Sequence, residues 1–540
     1  MSESYKYKNI CFIHLSVMLL LIPVCCEGLS AHDVRYVHLS ISPLYPTLGR
    51  PSVISMMLRF DDSVGSVKAV ELVDVFKGFI IKDHNVMVVS GNVTLECFNI
   101  SINRLNHLSK HVIWYPSVPG RHRLLCLVDS DPVGYIDVDV GFYNDQIVYP
   151  SMGCPSIISK DKNDSLFVLL SEKHDDANES TNVEYLSLSR INDSVSYNLY
   201  DKELLVVERL KIANDGLEDE IIIRCDISAI PPGFYDIIVK TSKEEYTWPN
   251  AVKIMDYTPY NFSFVQLSDI HIGKQYNTID EKDEVIKKIR YINEYIKPDF
   301  IVLSGDMIDW SNKRTGYKAY LDLQNIIKNS TSPIYTIPGN HERYTNRLLL
   351  MYMPYTNLTP YHIFINPISD YSFIYGGCNL IFLDSGYDYN RFEVKKDIWN
   401  QTPESSGLSN TQMHLLENVY RRNDTNINII IMHNPAVNEH NDTGLRALYN
   451  TLISGNDECI AFNRDLFIDY CIRRNISMVL SGHTHCNRVL DQYGKQVNYS
   501  HVSPLFIQTD SATLKRERSG GRIITIKDNS IISYSYQPMP

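Results

Sequence analysis

Five short polar clusters in the second half of the chain carry the residue types of a metal centre. They are Asp269-Ile270-His271, Gly305-Asp306-Met307-Ile308-Asp309, Gly339-Asn340-His341-Glu342, Met432-His433 and Gly482-His483-Thr484-His485. Asp and Asn offer hard oxygen and His offers borderline imidazole nitrogen, the donor set of zinc, manganese, iron or cobalt rather than calcium. A carboxylate can join two cations through its two oxygens. Seven candidate ligands, one of them bridging, are too many for a single tetrahedral ion and suit a pair. Two cations about 3.5–4 Å apart lower the pKa of a shared water, making hydroxide available near neutral pH. A lone histidine is commonly structural; five such clusters in one region are not.

Each cluster follows directly on an apolar run that reads as a strand: 262–267, 299–303, 334–337, 427–431 and 476–480. Amphipathic segments alternate with these runs, the pattern of an α/β domain. One helix spans about 281–296, with a Thr278-x-x-Glu281 capping box and Pro298 at its end; a second covers about 317–328. Ser409-x-x-Gln412 opens another that runs to about Arg421, and a further helix ends near Arg474. The tail adds β segments at 505–508, 522–526 and 531–536. In open α/β sheets, ligands bind just beyond the carboxyl ends of strands, so clusters more than 200 residues apart should converge. The glycines before Asp306, Asn340 and His483 fit sharp turns where backbone passes close to the site.

The ordered set DIH, GDMID, GNHE, MH and GHTH resembles the calcineurin-like metallophosphoesterase superfamily over about 262–536, roughly half the chain. The resemblance implies a β-sandwich flanked by helices, with a dinuclear site at one edge that hydrolyses phosphomonoesters or phosphodiesters. Carried over motif by motif, one metal takes Asp269, His271, Asp306 and His485. The other takes Asp306, Asn340, His433 and His483, with Asp306 bridging. The cofactors so implied are two divalent or trivalent transition-metal ions, drawn from Mn, Fe, Zn or Co. A hydroxide bridging them is the implied nucleophile, with no covalent phosphoenzyme. His341 matches the family's catalytic histidine, which assists the phosphate and leaving group. Purple acid phosphatases place a tyrosine ligand where this chain has Asp309, so an iron–tyrosinate centre is not expected. Asp309 instead supports the ligands through a hydrogen bond. The Gly-His-Thr-His ending is closer to the phosphodiesterase-like branch.

Ahead of this domain, the texture is β-rich. From 31 to 150 the pattern is period-two: Val37, Leu39 and Ile41 alternate with polar neighbours, as do Ile54, Met56 and Leu58 and then Ile136, Val138 and Val140. Runs at 166–170, 221–225 and 234–240 continue it, with a polar loop at 175–182. The expected organisation is multidomain: a signal peptide at 1–28, a β-sandwich domain at 29–150, a second β domain at 151–258, and an α/β catalytic domain at 259–540. Packing against the catalytic domain is the expected role of the second β domain. Cys97 is in phase with Val93 and Leu95, and Cys126 with Leu124 and Val128. A disulfide across the core and two buried thiols are both open readings, and Cys459 with Cys471 is a further possible pair.

Lys6 and Lys8 precede a 17-residue apolar stretch at 10–26 broken only by His14, Ser16 and Pro23. The expectation is a cleaved secretory signal, with a retained anchor as the alternative, because that length just reaches the spanning limit. Thirteen Asn-X-Ser/Thr sequons fit an exported, secreted or cell-surface glycoprotein. Eight cysteines outside the signal, an even number, fit a compartment that permits disulfides. No later segment offers a membrane span. At 540 residues, two to four domains of roughly 100–200 residues are expected. A net charge of −12 argues against nucleic acid as a scaffold and against anionic lipid. Ordinary apolar usage of 44% excludes a disordered chain. The partner that the resemblance implies is a phosphoester substrate. A surface glycoprotein using the same fold only for binding or scaffolding is the competing reading; it would be marked by a missing ligand, and none is missing. Segments 343–370 and 387–407, rich in Tyr and holding Trp399, are the candidate substrate walls.

Overall fold

The computed structural model describes residues 34–540 except for interruptions, the longest being 172–182, 344–357, 387–406 and 440–458. The signal segment, the polar loop at 175–182, Thr278, Trp399 and most of the two candidate substrate walls lie outside the described residues.

The amino-terminal alternation builds a sandwich. Strands Val34–Ser42, Ser52–Phe60 and His107–Trp114 form one sheet, and Ala69–Lys82, Asn85–Asn99, Gly120–Val128 and Asp131–Val140 form the facing one. Ile54, Leu72, Trp114 and Leu124 meet between them, each at most 1% exposed. The disulfide reading for Cys97 and Cys126 does not hold. Strand Asn85–Asn99 carries a bulge where Leu72 faces Glu96 but Val73 faces Thr94. One extra residue reverses the phase, so Phe98 turns toward the core while Cys97 is exposed. Cys126 stays buried as a thiol, its Sγ 3.5 Å from Met56 Sδ. Cys459 and Cys471 are both buried and not cross-linked; a spacing in sequence says nothing about the Cβ geometry a disulfide needs.

A second sandwich pairs Val206–Lys211, Glu218–Asp226, Ser165–Ser171 and Gln146–Tyr149 against a five-stranded sheet built around Gly233–Thr241 and Glu245–Met255. Its core, with Leu166, Val168, Ile223 and Ile237, is continuous with the helical layer of the carboxy-terminal α/β region. Asn250, 1% exposed, donates from Nδ2 to the carbonyls of Ile327, Lys328 and Ser330 at 2.9–3.0 Å. It thereby satisfies the carbonyls left over at the end of helix Arg314–Lys328.

The carboxy-terminal α/β region has four layers. One sheet runs in the order Ile334–Ile337, Phe300–Ser304, Phe262–Leu267, Gly520–Lys527, Ser530–Pro538. Alternate residues face opposite ways, which explains strands that are apolar throughout. Val265, Leu267, Ile301 and Leu303 meet helices Glu281–Tyr291 and Arg314–Lys328, while Phe264, Val302, Tyr335 and Ile524 face the other sheet. That second sheet contains Tyr371–Tyr375, Cys378–Phe382, Ile427–Ile431, Met478–Ser481 and Leu505–Gln508. Its outer residues Ile381, Ile430, Val479 and Phe506 pack on Leu415, Phe467 and Tyr470 of helices Asn410–Leu415 and Arg464–Arg473. Ser409 and Gln412 form the expected reciprocal capping box. The helix expected over 281–296 is α-helical to Tyr291, then a π-turn over Ile292–Ile296, closed by Lys297 at φ 52° before Pro298.

One pairing joins the units. Ile81 and Lys82 run parallel to Tyr371 and Ser372, so the second of these sheets and the facing sheet of the first sandwich form a single ten-stranded sheet.

Candidate metal centre

Within each of the two sheets the motif strands run parallel. Phe262–Leu267, Phe300–Ser304 and Ile334–Ile337 are parallel neighbours in the first sheet, and Ile427–Ile431 pairs parallel to Met478–Ser481 in the second. The clusters at their carboxyl ends meet where the two sheets adjoin. The turns are tight. Asp269, His271, Asp306, His483 and His485 all have φ between 44° and 69°, a region that costs a non-glycine residue of order 1–3 kcal/mol each. Loops 269–272 and 305–309 run side by side, with Asp269 N donating to Gly305 O at 3.1 Å and His271 N to Asp306 O at 3.0 Å. Gly305 has φ 91°, and a Cβ there would lie 2.6 Å from His433 Cγ. At Gly482 a Cβ would run into Ser268 and come within 2.6 Å of Asp269 Oδ2.

The side chains form three overlapping groups whose ligand atoms lie within 4.8 Å of one another: Asp269, His271 and His485; His271, Asp306 and His341; Asp306, His433 and His483. In the first, His485 Nε2 is 3.1 Å from Asp269 Oδ1 and 3.4 Å from His271 Nε2. In the third, His433 Nε2 is 3.3 Å from Asp306 Oδ1. The tip of the Asn340 amide lies 3.0 Å from both His433 Nε2 and His483 Nδ1 and 3.3 Å from both Asp306 oxygens. Hydrogen bonding alone would put the amide nitrogen there, whereas a cation would put the oxygen there. Lone-pair atoms from four side chains converging on one point fit a metal ion. Among the described residues, buried His271 Nδ1 has no hydrogen-bond partner. The Asp309 carboxylate stands 3.7 Å from that nitrogen and 3.9 Å from His341 Nδ1, an ion-pair separation; its carbonyl accepts from His341 Nδ1 at 2.6 Å.

The electrostatics divide the histidines. Burial, then neighbouring His341, depresses His271 to about 3, and burial with His433 depresses His483 to about 4, so both rings are neutral near pH 7. His433 is driven the other way: burial opposes protonation, but the Asp306 carboxylate outweighs it and raises the ring to about 10. His485 is raised as well, Asp269 outweighing burial. Against their own burial, Asp269 and Asp306 are held ionised by His485 and His433 respectively. The Asp306 carboxylate is thus matched by a protonated His433 ring, and a cation entering there must displace that proton.

Two supports escaped the reading of the sequence. His433 Nδ1 lies 2.8 Å from Ser304 O, which turns Nε2 toward Asp306. Glu342, fully buried, accepts four main-chain N–H groups: Asp306 at 2.9 Å, Met307 at 2.8 Å, Ile308 at 3.1 Å and Gly339 at 2.7 Å. It ties the Asp306 loop to the Asn340 loop. Burial and the Asp306 charge push its carboxyl up to about 7. The one available signal was its place in the Gly339-Asn340-His341-Glu342 cluster.

The calcineurin-like phosphoesterase family matches residues 262–487. No curated protein sequence matches the chain. Among solved structures, the purple acid phosphatase PPD1 of yellow lupin (Lupinus luteus) seeds is similar at 12% identity over 92% of each chain, with a TM-score of 0.39. A D1–D4 ectodomain fragment of ICAM-5 is similar at 12% identity over 44% of this chain and 58% of that one, with a TM-score of 0.15. Neither likeness is close enough to argue from.

Proposed function

Residues 262–487 belong to the calcineurin-like phosphoesterase family, and on that premise we propose how this metal-dependent phosphoric ester hydrolase works. Two transition-metal cations are held at the strand ends, one by Asp269, His271, Asp306 and His485, the other by Asp306, Asn340, His433 and His483. The observation that carries this reading is that Asp306 belongs to converging groups on both sides of the site, as a shared ligand must. Bound there, two such cations supply hydroxide near neutral pH and neutralise charge on the phosphoryl oxygens.

The remaining work falls to the chain. Glu342 keeps the main chain of Asp306 and Gly339 at fixed separation, so the ligand loops do not part when charge changes between them. His341 Nδ1 donates to the Asp309 carbonyl, which aims Nε2 into the site, 3.8 Å from Asp306 Oδ2. From there it gives a proton to the leaving oxygen, and no covalent phosphoenzyme is needed. A second reading makes His341 a ligand, because its ring converges with His271 and Asp306. The deciding experiment loads purified protein with manganese or zinc and assays p-nitrophenyl phosphate and its bis ester. Turnover requiring two bound cations is expected, and the ratio of the two rates gives the mono- or diester preference. No turnover with both positions filled would sink the mechanism.

Export belongs to the same proposal. It is supported by the basic start and apolar stretch at 10–26, and by sequon residues Asn92, Asn261, Asn329 and Asn475, all exposed. Among the described residues, no helix is long and apolar enough to cross a membrane. Mass spectrometry of protein made in a glycosylating host should find a start near Leu29 and glycan mass. An intact Met1 on a cytoplasmic product would refute export.

A further inference from the structure

The family match ends at residue 487, yet the ligand loops lean on residues beyond it. Segment 508–513, which leaves strand Leu505–Gln508, touches loops from both sheets. Thr484 Oγ1, between His483 and His485, donates to Gln508 Oε1 at 2.8 Å. Thr509 Oγ1 donates to Gln266 Oε1 at 2.7 Å, and Gln266 Nε2 donates on to Ser304 Oγ at 2.9 Å and Ser481 O at 3.2 Å. Ser511 Oγ donates to Asp269 O at 2.7 Å, and Ala512 N to Ser268 O at 2.9 Å. A buried polar layer thus lies directly beneath the ligands.

One cation underpins it. Arg522, on strand Gly520–Lys527, is 2% exposed. Its Nε donates to Thr509 Oγ1 at 3.2 Å, its Nη1 to Tyr534 O at 2.8 Å, and its Nη2 to Asn487 Oδ1 and to Gln508 O at 3.1 Å. Every one of these acceptors is a neutral oxygen. Among the described residues no carboxylate forms an ion pair with it, and the Tyr536 ring lies 6.0 Å from its Cζ; a buried guanidinium so placed is expensive, so stability alone is a poor reason to keep one. The planar fork of donors is what no lysine or neutral side chain can supply, and here it spans Asn487, Gln508 and Thr509 at once. Those residues border the loop that presents His483 and His485 from one side and brace it through Thr484 from the other.

We infer that Arg522 is a positioning residue for the metal centre, fixing the Gly482–Asn487 loop without touching a ligand. This rests on the two-cation reading above. Groups that orient metal ligands from behind typically set affinity by about 10–100-fold. A merely electrostatic role has the opposite sign: a buried cation repels bound cations, so its removal would tighten them. A merely structural role would leave metal affinity unchanged.

The experiment titrates Mn²⁺ calorimetrically into metal-free full-length protein and measures the denaturation midpoint of the same preparations. Wild type should take two Mn²⁺. Arg522→Met should bind Mn²⁺ about 10–100-fold more weakly. Arg522→Lys, which keeps the charge but not the fork, should fall between. Ile524→Val, a buried apolar change on the same strand, should lower the midpoint and leave Mn²⁺ affinity alone. Unchanged or tighter binding by Arg522→Met would overturn the inference; should that variant fail to fold, unchanged binding by Arg522→Lys would overturn it equally. A wild type that takes no Mn²⁺ would instead remove the two-cation reading and this inference with it.

Discussion

Glu342→Gln removes one charge and replaces one oxygen by nitrogen, with almost no change in volume. In the wild type each carboxylate oxygen accepts two N–H groups: Oε1 those of Met307 and Ile308, Oε2 those of Asp306 and Gly339. An amide has one accepting oxygen, so whichever way it turns its NH2 faces two main-chain donors. Two buried N–H groups then lose their acceptor, at about 1–3 kcal/mol each, or about 2–6 kcal/mol together. In the metal-free protein the two loops can relieve that cost by moving apart. With cations bound, Asp306 and Asn340 must be held together, so the cost reappears as lost metal affinity. Complete relief would correspond to roughly 30-fold or more, since each factor of ten is about 1.4 kcal/mol. Partial relief should give about 10–100-fold, with the remainder seen as a lower denaturation midpoint. Calorimetric titration of Mn²⁺ or Zn²⁺, paired with chemical denaturation of the metal-free protein, measures both parts. If affinity and midpoint both match wild type, the four-donor clamp does not organise the site.

Other outcomes follow from the same geometry. Asp306→Asn should abolish activity and reduce bound metal below two per chain, whereas Asp309→Asn should only slow turnover; metal analysis beside the rate tests this, and full metal with full rate in both variants would refute the shared-ligand assignment. His341→Ala should retain both cations and lose about 10²–10⁴-fold in turnover of an alkyl phosphate, with a smaller loss for p-nitrophenyl phosphate, whose leaving group departs without a proton. An equal loss on both substrates, or loss of metal, would favour the ligand reading of this residue. Metal affinity should rise with pH: a ligand nitrogen must be unprotonated, and metal-free His433 holds its proton up to about 10, with His485 also raised. Each cation that expels one proton gains about tenfold in affinity per pH unit between pH 6 and 8, so chelator competition at three pH values should show that slope, and a flat profile would contradict the Asp306–His433 pairing.

The side chains proposed as donors stand out in the sequence by their types and by their position after apolar runs, both local properties. The same holds for the Ser409–Gln412 capping box, which closes over four residues. Reading the ends of five strands as one edge needed only the rule that parallel strands carry their ligands at one end. What the sequence left open involves partners far apart along the chain. Cys97 faces out because a single bulge reverses strand phase, and nothing in the spacing of Val93, Leu95 and Cys97 marks that extra residue. The sheet shared by Lys82 and Ser372 joins edges nearly 300 residues apart, and an edge pairing has no periodicity of its own. Glu342 has the same side chain as any surface glutamate; four N–H groups from two different loops make it a clamp. Arg522 looks like the polar half of an alternating strand, yet it is buried. Only the second sheet closing over Gln508, Thr509 and Asn487 gives its fork something to hold, because hydrogen bonds are short-ranged and the fold alone decides which donors meet which acceptors.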